Sequence, residues 1–214
     1  MTQDFSQLFL KAESHAYQVR DTHIPLATAV IRSLYEFIEV ENAGIGDGAP
    51  DESGVLDERT FEKIRNQVTK KLKGTPLRNI ELVMAYRKMV ADGALPANEE
   101  VLSLIMKKKI RTLSGIANIT VLMKEYGCPG KCVFCPTQPG MPKSYFSTQP
   151  AMMRAVRNHF DAYSQVKARL NGLFAQGHDT TKIDIRTAGG TWSAYSRDYQ
   201  EEFVKGIFFI NSVE

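Results

Sequence analysis

Three cysteines fall within eight residues of this chain, as Cys128-Pro-Gly-Lys-Cys132-Val-Phe-Cys135, and it has no others. Gaps of three and two residues let the thiols converge on one side of a loop. Three thiolates can hold three irons of a 4Fe-4S cluster, and the fourth iron is then free to bind a small molecule. A structural zinc ion is the rival reading. It needs a fourth ligand, for which His159 and His178 are the available nominees, and zinc ligands favour two separate cysteine pairs. An odd, clustered set does not suit a disulfide framework. It suits thiols reserved for a metal in a reducing, cytoplasmic setting.

The chain before the cysteines reads as helical. Residues 24 to 40 carry apolar groups at helical spacing. Residues 42 to 56, with four glycines and Pro50, read as a loop. Asp57 is a good N-cap for a second helix with Phe61, Ile64, Val68 and Leu72 along one stripe, and Gly74 and Pro76 stop it. Asn79 is expected to cap a third helix ending near Gly93, and Asn98 a fourth that carries the lysine run at its end.

The pattern changes at residue 116. The run 116 to 123, IANITVLM, is mostly apolar and β-branched on both alternating faces, as expected for a strand buried on both sides. The cysteine loop follows at once. Pro150 suits the first position of a helix, which is expected to break near Asp161 and to end at Gly177. Lys182 to Ala188 reads as a second strand, closed by Gly189 and Gly190, and Ser196 can cap a last helix through Phe203 and Ile207. Strand, loop, helix, strand, loop, helix is the unit of a parallel α/β barrel. Loops at the carboxyl ends of parallel strands share one rim, so the cysteines and the double glycine are expected to face a common pocket. Two strands cannot close a barrel and leave an edge uncovered. The expected fold is therefore α/β: a helical region, 1–112, then the first β/α units of a partial TIM-like barrel, 113–214, read as the truncated start of a longer domain.

No apolar run approaches the ~20 residues of a membrane helix, and the first residues, MTQDFSQLFLKAESHAY, lack the basic-then-apolar pattern of a secretory signal. A net charge of +3 is too small by itself to imply nucleic acid. Its distribution is more informative: Lys70, Lys71 and Lys73 form one basic run, and Lys107, Lys108, Lys109 and Arg111 a second. Each is either a solvated helix end or a phosphate-binding surface.

The cysteine spacing behind a strand resembles the signature of enzymes that cleave S-adenosylmethionine to start radical chemistry. Longer runs narrow the resemblance. The segments IRTLSGIANITVLMKEYGCPGKCVFCPTQPGMPKSY, SYFSTQPAMMRAVRNHFDAYSQVKARL and GHDTTKIDIRTAGGTWSAYSRDYQEEFVKG are similar, in order, to the catalytic subunit of Elongator and its single-chain archaeal and bacterial relatives. The likeness covers most of residues 79 to 206.

That resemblance implies a radical S-adenosylmethionine domain joined to an acetyltransferase domain. The pair would use acetyl-CoA to carboxymethylate C5 of the wobble uridine of tRNA. It implies Cys128, Cys132 and Cys135 as cluster ligands and Lys182 as an acetyl-CoA contact. By their place after the second strand, Gly189, Gly190 and Thr191 either border the methionine moiety of the cofactor, where glycine lets backbone approach a ligand closely, or form a simple strand-ending turn. It also gives the basic residues a purpose: Lys107, Lys108, Lys109, Arg111, Arg154 and Arg157 become candidates for tRNA phosphate contacts. Tyr145 and Phe146 could stack on bases or pack in the core. No catalytic residue beyond these is assigned, and assembly as a homodimer or with further subunits is left open.

Departures from the family pattern are specific. Ala162 stands where the family usually has Pro, Arg186-Thr187-Ala188 replaces a more apolar approach to the double glycine, and GIFFINSVE departs from the expected helix. No acetyltransferase domain is present, so this chain alone is not expected to turn over. The alternatives are a radical enzyme acting on another substrate and a non-catalytic RNA-binding module with a structural metal.

Overall fold

A computed structural model describes residues 19–43 and 56–209. Most of the expected 42–56 loop lies outside the described residues. The chain divides into two compact units. One holds the described residues up to Ile110 together with Phe174–His178; the other holds Arg111–Leu173 and the chain from Asp179 onward.

The helical unit contains α1 (Ile24–Ala43), α2 (Glu58–Lys71), α3 (Asn79–Ala91) and α4 (Glu99–Ile105). Asp57 caps α2 as expected, its carboxylate accepting from the Thr60 N–H at 2.7 Å. Asn98 caps α4 by accepting from the Glu100 and Val101 N–H groups. Asn79 does not cap α3. It is the first helical residue and donates to the Ile105 carbonyl instead. The Glu81 carboxylate serves that end by reaching back to the Arg78 N–H at 2.7 Å. Leu26, Val30, Ile31 and Leu34 of α1 interlock with Phe61, Leu82, Val83, Val101 and Ile105 in one core. The lysine run departs from expectation, because α4 ends at Ile105 and a separate 3-10 turn begins at Lys109.

The second unit is mixed α/β with a two-stranded parallel sheet. Its order is β1 (Ala117–Leu122), α5 (Pro150–Arg157), α6 (Ala162–Ala175), β2 (Ile183–Ala188) and α7 (Arg197–Phe208). The register pairs Ala117 with Ile183 and Leu122 with Ala188. On one face, Ile119, Val121 and Met123 pack with Ile183 and Ile185 against Ala162 and Val166 of α6 and Phe203 and Ile207 of α7. The other face is not buried along its length, contrary to the expectation for β1. Only its carboxyl end is covered, where Leu122 meets Met152 and Ala155 of α5. Asn118 and Arg186, earlier on that face, are exposed, and Arg186 pairs with Asp184 at 3.0 Å. This accounts for the polar approach to the double glycine: Arg186 lies on an open surface.

Pro150 opens α5 as expected. The break before α6 falls at His159 and Phe160, both at positive φ, and the Asp161 carboxylate then accepts from the Ser164 N–H at 2.8 Å. Ala162 is the first residue of α6. Proline suits that position because its missing N–H is not needed there, so either residue serves. Ser196 caps α7 by accepting from the Tyr199 N–H. The helix continues through Phe208, so the first part of GIFFINSVE is helical after all; residues 210–214 lie outside the described residues.

Candidate metal centre at the carboxyl rim of the sheet

Parallel pairing delivers two loops to one rim. The Met123 N–H bonds the Ala188 carbonyl at 3.0 Å, so the chain leaves β1 and β2 side by side. Gly189 then turns at φ +151°, where a Cβ would lie 2.8 Å from Met123 Cε and 3.2 Å from Met123 Cβ. Beyond this turn the Thr191 hydroxyl meets the Cys128 sulfur, Oγ1 to Sγ at 3.2 Å. The Gly130 N–H also donates to that sulfur at 3.4 Å. The cysteine and double-glycine loops, expected to face a common pocket, are joined here by a direct side-chain contact.

The rest of the cysteine loop is held by its own polar groups. Ser144 Oγ lies 3.0 Å from Cys135 Sγ, with Ser144 at φ +73° and its N–H on the Pro136 carbonyl. Gln138 and Ser147 exchange two hydrogen bonds of 2.9 Å. Glu125 accepts from the Gly140 N–H at 3.0 Å, and Lys143 donates to Thr137 Oγ1 at 2.7 Å.

An aromatic column supports the same rim. Tyr126 stacks on Tyr195 and Tyr195 on Tyr199, with centroids 4.8 and 4.9 Å apart. Trp192 meets the edge of Phe203. The Tyr195 hydroxyl donates to the Lys124 carbonyl at 2.7 Å, the Lys124 N–H reaches the Tyr199 hydroxyl, and the Lys124 ammonium lies over the Tyr199 ring. These contacts tie the exit of β1 to the start of α7. Sequence reading missed them. The available signal was Tyr195 and Tyr199 four residues apart, one helical turn, just before and within a predicted helix.

Electrostatics favour the thiolate form of Cys128. The Thr191 hydroxyl, then the Gly130 N–H, lowers the Cys128 pKa from the ordinary thiol value, and nearby Lys143 adds to this. Burial pushes the Tyr195 phenol up to about 12, with Tyr199 and then Cys128 contributing, so it stays protonated as a donor.

The three thiols are not drawn together. Among the described residues no three His, Cys, Asp or Glu side chains are gathered closely enough to hold a metal ion. Cys132 is exposed, while Cys128 and Cys135 are half-buried against their hydroxyl partners. A Cβ built on Gly130 would lie 3.4 Å from the Cys128 sulfur and 3.8 Å from the Cys132 sulfur. Both sulfurs therefore flank Gly130 at ordinary contact distance from where a side chain would begin. Val133 and Phe134, between the second and third cysteines, are 101% and 90% exposed, so none of the described residues packs over them. Three free thiols, one of them acidified, on a self-braced loop are a chemically suitable donor set for an iron-sulfur cluster. Neither histidine nominated for zinc joins them: His159 is exposed at the break before α6, and His178 is buried in the helical unit.

The other site residues are dispersed. Lys182 is exposed at the opposite end of β2 from Gly189, about 23 Å away along a strand rising about 3.3 Å per residue; its carbonyl accepts from the Ala117 N–H. Lys107, Lys108 and Lys109 are exposed in the helical unit. Arg111, half-buried, belongs to the α/β unit. Arg154 and Arg157 occupy the last turn of α5; Arg154 donates to the Pro150 carbonyl and Arg157 is exposed. Tyr145 is packed beside Met152, whereas Phe146 is 44% exposed.

Fold and site together describe a parallel α/β unit with a three-cysteine loop at its carboxyl rim. No family model matches the chain. Curated relatives do. It is 38% identical over 128 residues to the tRNA uridine(34) acetyltransferase of Methanocaldococcus jannaschii, covering 51% of this chain and 24% of that protein. It is 40% identical over 103 residues to the protein of the same name from Dehalococcoides mccartyi, covering 48% and 22%. Elongator complex protein 3 of Saccharomyces cerevisiae is 34% identical over 108 residues, covering 45% and 19%. The resemblance to the Elongator catalytic-subunit family is thus a homology shared with proteins of both names. The chain spans about a quarter of the length of these relatives or less. Among the described residues no helix is long and apolar enough to cross a membrane.

Proposed function

We propose that this chain is the cofactor-binding part of a radical S-adenosylmethionine enzyme that carboxymethylates C5 of the wobble uridine of tRNA, using acetyl-CoA. The observation that carries the reading is the Cys128–Thr191 contact, which joins the cysteine loop to the double-glycine turn at one rim. The relatives named for tRNA uridine(34) acetyltransfer supply the substrate class. In this reading β1 to α7 are the opening units of a partial TIM-like barrel, residues 1–112 form a helical tRNA-binding region, and residues 113–214 begin the radical domain.

Cys128, Cys132 and Cys135 would hold a 4Fe-4S cluster. When bound, that cluster with S-adenosylmethionine supplies a 5′-deoxyadenosyl radical able to abstract hydrogen. The protein's own work is positional. Gly189 carries the chain closely past Met123, the backbone at Gly190 is the part open to close approach of a ligand, and Thr191 fixes the near side of Cys128. Phe134, exposed between the second and third cysteines, would cover whatever the loop holds. Lys182 would meet the CoA phosphates. Lys107, Lys108, Lys109, Arg111, Arg154 and Arg157 would hold the tRNA backbone without reading bases. A homodimer or further subunits would fit the Elongator name of some relatives.

The test is anaerobic reconstitution of the full chain with iron and sulfide. Iron uptake with a broad visible absorbance, lost in Cys132→Ala, is expected, with a cluster EPR signal that changes on adding S-adenosylmethionine. Stoichiometric zinc with no iron uptake overturns the proposal.

A further inference from the structure

Two of the three cysteine sulfurs have a hydroxyl partner, and the two hydroxyls come from different loops. Thr191 Oγ1 lies 3.2 Å from Cys128 Sγ and Ser144 Oγ lies 3.0 Å from Cys135 Sγ. Neither contact follows from neighbouring positions in sequence, since 63 and 9 residues separate the partners. Thr191 is delivered by the Gly189 turn. Ser144 is delivered by a backbone at φ +73°, a region where a non-glycine side chain is uncommon and is held only by its surroundings. Here the Ser144 N–H is fixed on the Pro136 carbonyl, the residue next to Cys135. Cys132, the third thiol, is exposed.

We infer that Thr191 and Ser144 are positioning residues that donate hydroxyl hydrogen bonds to Cys128 and Cys135 and thereby set the reduction potential of the metal centre. The inference rests on the cluster reading above. Hydrogen bonds to ligand sulfurs are one of the protein's levers on cluster potential, because they stabilise the more negative, reduced state. A chain that must deliver an electron from its cluster needs that potential placed. Among the described residues no hydroxyl meets the Cys132 sulfur, so the set is asymmetric: two sulfurs are tempered and one is open to solvent.

The experiment is an EPR-monitored redox titration of the reconstituted full chain and its variants. Thr191→Val keeps the shape and removes the hydroxyl; Thr191→Ser keeps the hydroxyl. Ser144→Ala removes the hydroxyl at the same strained φ, and Ser144→Gly removes it while relieving the strain. The expected result is a midpoint shifted to more negative potential in Thr191→Val, Ser144→Ala and Ser144→Gly alike, further in the double variant, and restored in Thr191→Ser. Loaded variants at the wild-type midpoint overturn the inference and leave the cluster reading standing. A shift in Ser144→Ala that Ser144→Gly abolishes also overturns it, because backbone strain is then the cause. Wild-type chain that takes up no iron overturns both.

Discussion

The Gln165 carboxamide makes both of its hydrogen bonds to one residue of β1: its Nε2 donates to the Leu122 carbonyl and its Oε1 accepts from the Leu122 N–H, each at 2.9 Å. Met123 next along the strand bonds to β2, so Leu122 faces the other way. There Gln165 of α6 does what a further strand would do for it. Both groups are buried, and Gln165 is 2% exposed. Replacing Gln165 with Met preserves volume but leaves a buried donor and acceptor unmet. We expect a loss of about 2–6 kcal/mol, from about 1–3 kcal/mol for each of the two unsatisfied groups. Urea unfolding followed by circular dichroism measures it. A loss under about 0.5 kcal/mol, the range of an ordinary surface change, would mean that water or rearrangement serves Leu122 equally well.

Glu81 gives the helical unit a pH signature. Its side chain is fully buried and accepts from Arg20, His23 and Arg78. Burial alone would push its carboxyl up, but the Arg20, Arg78 and His23 hydrogen bonds outweigh it and hold the pKa at about 2 against an ordinary 4.5. The folded value lies below the unfolded one. The stabilisation is therefore fully present above about pH 4.5 and is lost as pH falls towards about 2. At about 1.4 kcal/mol per pH unit, the contribution is on the order of 3 kcal/mol. Glu81→Gln should cost a comparable amount at pH 7 and flatten this part of the profile. Urea midpoints at pH 7, 4.5 and 2.5 test both statements. A variant that keeps the wild-type slope between pH 4.5 and 2.5 would assign the acid sensitivity to other carboxylates.

What could be read from the sequence was whatever depended on neighbours in the chain. Asp57, Asn98, Pro150 and Ser196 start their helices where local capping logic puts them, and Gly177 turns at φ +95° after α6. The side-by-side exit of the two rim loops also followed, because parallel pairing requires it. Asn79 misled because a second candidate, Glu81, stands two residues on and is drawn inward by three cationic or polar partners. The open face of β1 misled because Asn118 and Thr120 were averaged into an apolar run. In the candidate site, Ser144 and Tyr126 were invisible as partners, because they act on Cys135 and Tyr195 from distant positions that nothing local marks; only the Tyr195–Tyr199 spacing of one helical turn left a trace.

The Gly189 turn is where sequence and site meet most tightly. An alanine there must hold φ near +151° and place its Cβ 2.8 Å from Met123 Cε and 3.2 Å from Met123 Cβ. The methyl end of Met123 can swing away; its Cβ cannot. Backbone strain of this kind costs about 1–3 kcal/mol, so Gly189→Ala should lose about that much stability and displace Thr191 from Cys128. Combining it with Met123→Ala isolates the cause. The Cβ contact and the backbone angle both survive in the double variant, so less than half of the loss should be recovered. Full recovery would mean that the flexible end of Met123 was the whole obstacle.

The lysine run offers the sharpest test of nucleic-acid binding. Lys107, Lys108 and Lys109 are exposed past the end of α4, and Lys108 at φ +59° bends the segment so that it does not continue the helix. They therefore do not serve the α4 carbonyl end as its last turn, which weakens the simple reading of a solvated helix terminus. If each meets a tRNA phosphate, each releases counterions on binding. The magnitude of the slope of log affinity against log salt should fall by roughly one per lysine removed, hence by roughly three when all become Gln. The loss should be uniform across tRNA sequences, since such contacts read no bases. Arg157→Gln, on the exposed last turn of α5, should take off about one more if the second unit shares the same backbone contact. Filter binding across a salt series decides it: an unchanged slope in the triple variant, with weak binding of tRNA retained, would return these lysines to the role of solubilising charge.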